Sequence, residues 1–180
     1  MLNAPAITEL NVENAVYTIF AEWLGKYFDG QQHAVGGKAL LPFPKALLQF
    51  GQSQIPPPLK YDTPAPLASI IMVWSSPIST DKRWETIDGK SQQMIYQKAR
   101  WNYWVRVEKQ GTDTMSARKV AHQTGKLLTT LLRNPATTGE LAHKGIHKPC
   151  PGEPEPVAES GYVLMLVSCR ALLSYPVLVK

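Results

Sequence analysis

Three side chains in the C-terminal half of the chain have the types and spacing of metal ligands. His143, His147 and Cys150 follow the pattern H-x3-H-x2-C, and imidazole nitrogens together with a thiolate are ligands that Zn²⁺ accepts. No fourth ligand stands close to them in sequence, and the surrounding stretch is rich in proline and glycine, which is typical of loops. We therefore expect solvated loop residues here. A small metal-dependent hydrolase is the alternative function that a zinc site would support.

The chain contains no motif for covalent catalysis. A G-x-S-x-G sequence, which exposes a nucleophilic serine on a tight turn, is absent. No local signature pairs Cys150 or Cys169 with a histidine, so a Cys-His nucleophile is an alternative without specific support. Two cysteines without C-x-x-C spacing favour free thiols in a reducing cytoplasm. We expect a protein that is not an enzyme.

Two short stretches have residue types that suit phosphate or calcium. The stretch "AVGGKAL" has glycines and a lysine, but it lacks the G-x4-G-K-[ST] spacing with which backbone amides enclose a phosphate. Asp81, Glu85 and Asp88 are close in sequence, but Lys82 and Arg83 interrupt them and the pattern is not an EF-hand loop. We expect a solvated turn at these acids and no cofactor.

Length, composition and charge set the class of protein. A chain of 180 residues, of which 44% are hydrophobic, is long enough to bury the core of one domain, so we expect a single domain over residues 1–180. We see no basic and apolar leader, and the longest apolar run, "YVLMLV", is too short to cross a bilayer, so we expect a soluble, unsecreted protein. The net charge of +5 favours an acidic partner without naming it.

Hydrophobic periodicity predicts the elements that would position these side chains. Apolar residues recur at intervals of three and four in two segments, as in amphipathic helices, and β-branched or alternating segments predict strands. The result is an α+β fold, in which a largely antiparallel β-sheet with a long β-hairpin packs against two main α-helices. The predicted elements are a helix from Asn11 to Phe28, a strand from Leu67 to Ser76, a turn-rich segment from Pro77 to Ser91, a strand from about Met94 to Glu108, a helix from Asp113 or Thr114 to Asn134, and a strand from Gly161 to Ser174.

Two segments are predicted to lack regular structure. Residues 52–66 contain three consecutive prolines and should run extended as a surface strap. Residues 135–160 are polar and rich in proline and glycine, and we expect a long loop there, with a short strand at Ile146 as an option.

The stretch "QKARWNYWVRVEK", from Gln97 to Lys109, alternates basic and aromatic residues. Single-strand nucleic-acid binders place stacking aromatics and phosphate-binding cations on one surface, whereas here Trp101 and Tyr103 fall opposite the arginines. We favour the interpretation that the aromatic face packs in the core and that the arginine face contacts a protein partner. One face holds Ala99, Trp101, Tyr103, Val105 and Val107; the other holds Lys98, Arg100, Asn102, Trp104, Arg106 and Glu108.

The order of elements resembles a known family. An N-terminal amphipathic helix, a Trp-rich strand running into "VRVEKQGTD", a basic helix "SARKVAHQTGKLLTTLL" and a closing strand "CRALLSYPVLVK" are similar to tail terminator (tail completion) proteins of long-tailed bacteriophages. The resemblance implies a small α+β protein that forms a hexameric ring on the tail tube, stops its growth and meets the head-side connector. The segments 52–66 and 137–160 are longer than such a protein needs, which leaves a stopper or adaptor of the neck as an alternative.

The resemblance implies a virion protein of the tail or neck, assembled in the host cytoplasm. Its partners would be copies of itself, six in a ring, the tail-tube protein and a head-side connector or stopper. DNA would pass through the lumen without specific binding, and no membrane would be involved. The alternative from another class is a nucleic-acid-binding accessory protein that uses the basic and aromatic strand. The hypothesised subunit-interface residues are Arg100, Trp104, Arg106, Lys82, Arg83, Trp84 and Arg118.

Overall fold

The computed structural model describes residues 2–28, 34–35, 38–39, 68–109 and 114–178. Within these ranges the elements alternate between helices and antiparallel strands, which confirms the predicted α+β class. The elements are α1 (Val12–Phe28), β1 (Ala34–Val35), β2 (Lys38–Ala39), β3 (Ala68–Ile87), β4 (Lys90–Glu108), α2 (Thr114–Arg133), α3 (Pro135–His143), β5 (Ile146–Pro151), β6 (Glu155–Glu159) and β7 (Tyr162–Pro176).

The largest feature is the hairpin of β3 and β4. Its strands pair from Ala68 with Val107 to Ile87 with Lys90, and a strand of 20 residues spans roughly 65 Å. Asp88 and Gly89 form the two-residue turn, and their φ angles of 51° and 73° are those of a type I′ turn.

The prediction of a turn-rich segment from Pro77 to Ser91 is therefore wrong. Both strands continue through it, because the Asp-Gly pair supplies the two positive φ angles that a tight hairpin turn needs. Pro77 falls in an irregularity of β3 between Ser75 and Ser79, where the strand register shifts and a missing backbone N–H costs no ladder hydrogen bond.

The main sheet has the order β3-β4-β7-β5, and β6 pairs with β7 next to β5. β4 lies between two long partners: β3 on one side and β7 on the other, where pairing runs from Met94 with Pro176 to Glu108 with Tyr162. β5 and β6 then pair with opposite ends of β7. In the described part of the chain, every pairing of this sheet is antiparallel.

The helices α1 and α2 pack on one face of this sheet, called the helix side. Phe20 of α1 has its ring centroid 5.0 Å from that of Trp101, which is fully buried, and 6.2 Å from that of Tyr103. The predicted inward face of β4 is confirmed: the residues Ala99, Trp101, Tyr103, Val105 and Val107 are all buried. The opposite face of the sheet, called the outer face, carries Arg100, Trp104 and Arg106 as predicted from the strand alternation.

Residues 135–160 are not the long loop that we predicted. α3 begins directly after α2, because the Asn134 side chain accepts a hydrogen bond from Ala136 N and Pro135 occupies the first turn, where its missing N–H costs nothing. Leu141 and Ile146 are buried and fix α3 and β5 to the core. The composition of the segment is that of a loop, but its caps and buried residues give it regular structure.

Several predictions fall outside the described residues. The Pro-rich strap at 52–66 lies wholly outside them, and so does Asp113, one of the two predicted starts of α2. Of the stretch "AVGGKAL", the described residues form the short antiparallel pair of β1 and β2. Among the helices that are described, none has the length and apolar character required to cross a membrane.

Gly145 provides a test of the connection from α3 to β5. Its φ is +89°, and a Cβ there would meet the backbone O of Ser174 at 2.3 Å. We predict that Gly145→Ala lowers the free energy of unfolding by about 1–3 kcal/mol, because both the backbone conformation and the neighbouring strand would have to shift. Chemical denaturation of purified protein measures this.

Gly139 is the matched control, since it lies within α3 with nothing within 4 Å of its added Cβ. Gly139→Ala should raise stability by up to about 1 kcal/mol through helix propensity. Equal changes in the free energy of unfolding for Gly145→Ala and Gly139→Ala would contradict the close packing of Gly145 against Ser174.

Candidate interaction surfaces

The seven predicted interface residues do not form one surface. Lys82 and Trp84 lie on one face of β3 near the hairpin turn, Arg83 lies on the opposite face, where it lines a cavity with Lys98, and Arg118 is on the exposed side of α2. The remaining three, from β4, share the outer face of the sheet. The sequence pattern correctly predicted that the three β4 residues share one face, but it did not show that the other predicted interface residues lie elsewhere.

Arg106 and Trp104 are largely occupied within the protein itself. The Arg106 guanidinium carbon lies 4.0 Å from the ring centroid of Tyr162, the side chain pairs with Glu108, and only 14% of it is exposed. Trp104 is half-buried, and its indole Nε1 is enclosed without a hydrogen-bond partner in the described part of the chain. These two side chains help to cover the outer face and have little surface left for a partner.

Arg100 is exposed and faces another arginine. Its partner in the strand register is Arg170 of β7, so two like charges stand directly opposite each other, an arrangement that is unfavourable by itself. Two exposed lysines, one from β4 and one from β5, line the same region. We call this region the basic groove, and it consists of Lys98, Arg100, Lys148 and Arg170.

The groove contains two adjoining cavities of about 440 and 420 Å³. The first has the pairs Arg100–Arg170 and Asn102–Ser168 as its floor, and the segment from Cys150 to Gly152 as its wall. The register of β5 is irregular between His147 and Cys150, and Lys148 there has a φ of +49°. Such a bulge redirects a side chain, and here it places Lys148 in the groove.

Several cations elsewhere on the described surface are paired with acids. Glu153 pairs with both Lys126 and Arg133, and hydrogen bonds from these two side chains lower the pKa of its carboxyl group.

Glu159 has the same double role. It accepts hydrogen bonds from Arg118 at 2.7 Å and Lys109 at 2.9 Å, which lower its pKa. Arg118, predicted to meet a neighbouring subunit, is thus held within the subunit.

The hairpin extends past the rest of the sheet. β7 stops pairing with β4 at Met94, and one hydrogen bond from Val177 N to Gln93 O follows. Residues 90–93 of β4 and their partners in β3 continue as a two-stranded ribbon. Trp84 lies on this ribbon with 69% of its surface exposed.

Polar side chains of the hairpin next to the ribbon pair with one another. Arg83 pairs with Asp81 at 2.7 Å and its guanidinium carbon lies 5.4 Å from the ring centroid of Tyr96. The Tyr96 hydroxyl donates to Glu85. Asp81 and Glu85 are therefore strand residues with partners within the hairpin, and the expectation that they belong to a solvated turn is wrong.

Lys82 connects the hairpin to the N-terminal segment through an ion pair of 3.7 Å with Glu9. Both side chains are about half exposed, so the contact is weak. Of the three predicted interface residues in the hairpin, Trp84 has the largest unoccupied surface.

The three candidate zinc ligands, which were the alternative to solvated loop residues, do not converge. His143 is exposed at the end of α3, whereas His147 is half-buried with its Nε2 2.6 Å from Ser174 Oγ, and burial lowers the His147 pKa. Cys150 is exposed in the basic groove, and burial raises the pKa of the Cys169 thiol. Within the described ranges, no three His, Cys, Asp or Glu side chains are arranged to hold a metal ion.

Comparison with known proteins gives no relative from which a function could be transferred: no protein-family model matches the chain, and no curated protein sequence matches it significantly. Function must therefore be inferred from the surfaces themselves. Sequence reasoning named Arg100 but missed Lys148 and Arg170, which join it only through strand pairing.

The two arginines of β4 should respond differently to truncation. We predict that Arg106→Ala lowers the free energy of unfolding by about 1–2 kcal/mol, because it removes stacking on Tyr162 and covered side-chain surface. Arg100→Ala should change it by less than about 0.5 kcal/mol, since its loss relieves repulsion from Arg170. Urea denaturation of both variants checks this, and a larger loss for Arg100→Ala would contradict the assignment.

Proposed function

We propose that the protein is a structural subunit of a bacteriophage tail end or neck, whose copies form a ring that caps the tail tube and joins it to the head connector. The observation that carries the proposal is the two-stranded ribbon beyond the sheet with Trp84 largely exposed. A large exposed tryptophan on an extended ribbon is suited to insertion into another protein surface, since tryptophan is enriched at interface centres.

A ring imposes a specific requirement on each subunit. Contacts that close by rotation join two different patches, one on each side of the subunit. The ribbon with Trp84 supplies one patch, and the outer face of the sheet is chemically different from it. This supports a head-to-tail contact between copies, in addition to contacts with the tail-tube protein and the head-side connector or stopper.

The order of elements adds to this proposal. A helix, a long hairpin, a basic helix and a closing strand occur in the order that tail terminator proteins share, and the long hairpin fits it. A stopper or adaptor of the same neck is the nearest alternative. In either role the protein works by assembly, without a cofactor, and DNA passes through the ring without specific binding.

The second candidate is a nucleic-acid-binding accessory protein. It is favoured by the basic groove, where no ion pair joins the four cations to an acid among the described residues. Binding to phosphates would weaken steeply as salt increases. However, no aromatic ring lines either cavity of the groove, so a surface for base stacking is missing there.

The test of assembly is a substitution at the ribbon. We predict that Trp84→Glu prevents formation of the ring on tail tubes while leaving the thermal unfolding temperature unchanged, because the side chain is mostly in solvent within the subunit. Electron microscopy of tails assembled with each variant, together with light scattering, measures ring formation and tail length.

Met115→Glu is the matched control, since Met115 is 71% exposed and lies on α2 away from the ribbon. It should assemble like the unmodified protein. The proposal fails if the protein stays monomeric in the presence of tail tubes and tails made without it have normal length.

A further inference from the structure

In the basic groove, four cations of the described chain gather without an ion pair. The side chains of Lys98, Arg100, Lys148 and Arg170 form no ion pair or hydrogen bond with another described side chain, although Asp81 lines a neighbouring cavity together with Lys98. Elsewhere a single glutamate is shared between two cations, as at Glu153 and Glu159. As far as the described residues go, the groove therefore presents positive charge that no ion pair offsets and that an anionic group from outside would stabilise.

The wall of the groove is held firmly in place. Gly152 N donates to Ser168 O at 2.7 Å, and Gly152 O accepts from Thr129 Oγ1 at 3.1 Å. Arg133 donates to the carbonyl of Pro151 at 3.2 Å. Both the sheet and α2 thus fix the segment beside the two arginines, so the site exists before a ligand arrives and little ordering is required on binding.

We propose that the basic groove binds an extended acidic segment of a partner protein, with carboxylates at alternate positions. Lys98 and Arg100 are two residues apart on β4, a spacing of roughly 6.6 Å, and an extended peptide has the same repeat between alternate side chains. Carboxylates at this spacing can form hydrogen-bonded ion pairs with the Lys98 ammonium and the Arg100 guanidinium.

Apolar surface in the groove favours a peptide over a nucleic acid. Leu172, which is 39% exposed, is the strand partner of Lys98 and lines the second cavity together with the cations. A peptide with small apolar residues between its acids would cover this leucine, whereas a phosphodiester backbone offers no apolar group to it. The lack of an aromatic lining also disfavours bases.

Binding of defined peptides to the isolated protein tests the inference, which does not depend on ring formation. The probe is a fluorescent peptide of alternating Glu and Val, compared by anisotropy with a Gln-Val peptide of equal length and with single-stranded and duplex DNA. We expect the Glu-Val peptide to bind more tightly than the other three probes, with an affinity that falls as salt rises.

The double variant Arg100→Glu with Arg170→Glu should weaken binding of the Glu-Val peptide at least about tenfold, because each change replaces attraction by repulsion. The control is Lys90→Glu with Lys119→Glu, which changes the net charge equally at exposed positions outside the groove. It should change the affinity by less than about twofold, since salt screens distant charges. If the double Glu variant fails to fold, Arg100→Ala with Arg170→Ala should still weaken binding.

Three results would overturn the inference. The first is that the Glu-Val peptide does not bind at low salt, or binds no better than the Gln-Val peptide. The second is an equal loss of affinity in the groove variant and the control variant, which would show a general charge effect. The third is tighter binding of either DNA, which would identify a nucleic acid as the occupant. None of these results bears on Trp84, so the ring proposal stands or falls separately.

Discussion

The alternation of side chains along β4 is the constraint on which the rest of the structure depends. One face of this strand is wholly used by the core, where Trp101 and Tyr103 pack against Phe20 of α1. A strand has a period of two, so burial of that face leaves the intervening residues on the outer face. The position of Arg100 is thus a direct consequence of the burial of Trp101.

The long strands on both sides of β4 determine which side chains lie next to those of its outer face. β7 places Arg170 opposite Arg100 and so concentrates charge in the groove. β3 continues with β4 past the end of β7, and the resulting ribbon carries Trp84 into solvent. The β3–β4 hairpin therefore provides the ribbon with Trp84 that is proposed to join copies, and β4 also contributes to the floor of the groove that is proposed to bind an acidic segment.

Much of this fold can be predicted from sequence wherever burial produces a strong periodic pattern. The inward face of β4 and the helix α2 were predicted because their apolar residues recur with the period of their element. The tip of the hairpin was missed because its strands are polar, although Asp88-Gly89 is a recognised signal for a type I′ turn. Lys148 and Arg170 could not be assigned to the groove, because strand register and a bulge bring them to Arg100.

Arginine-specific chemical labelling followed by mass spectrometry tests most directly how the outer face of β4 is divided between Arg106, which packs within the subunit, and Arg100, which is open to a partner. In the isolated protein we predict fast labelling of Arg100 and Arg170, which are exposed, and slow labelling of Arg106, which is stacked on Tyr162. In the assembled particle, Arg100 and Arg170 should become protected while Arg106 stays slow. Equal labelling of Arg100 and Arg106 in the isolated protein would contradict the packing of Arg106 within the subunit, and unchanged labelling of Arg100 and Arg170 after assembly would contradict a partner at the basic groove.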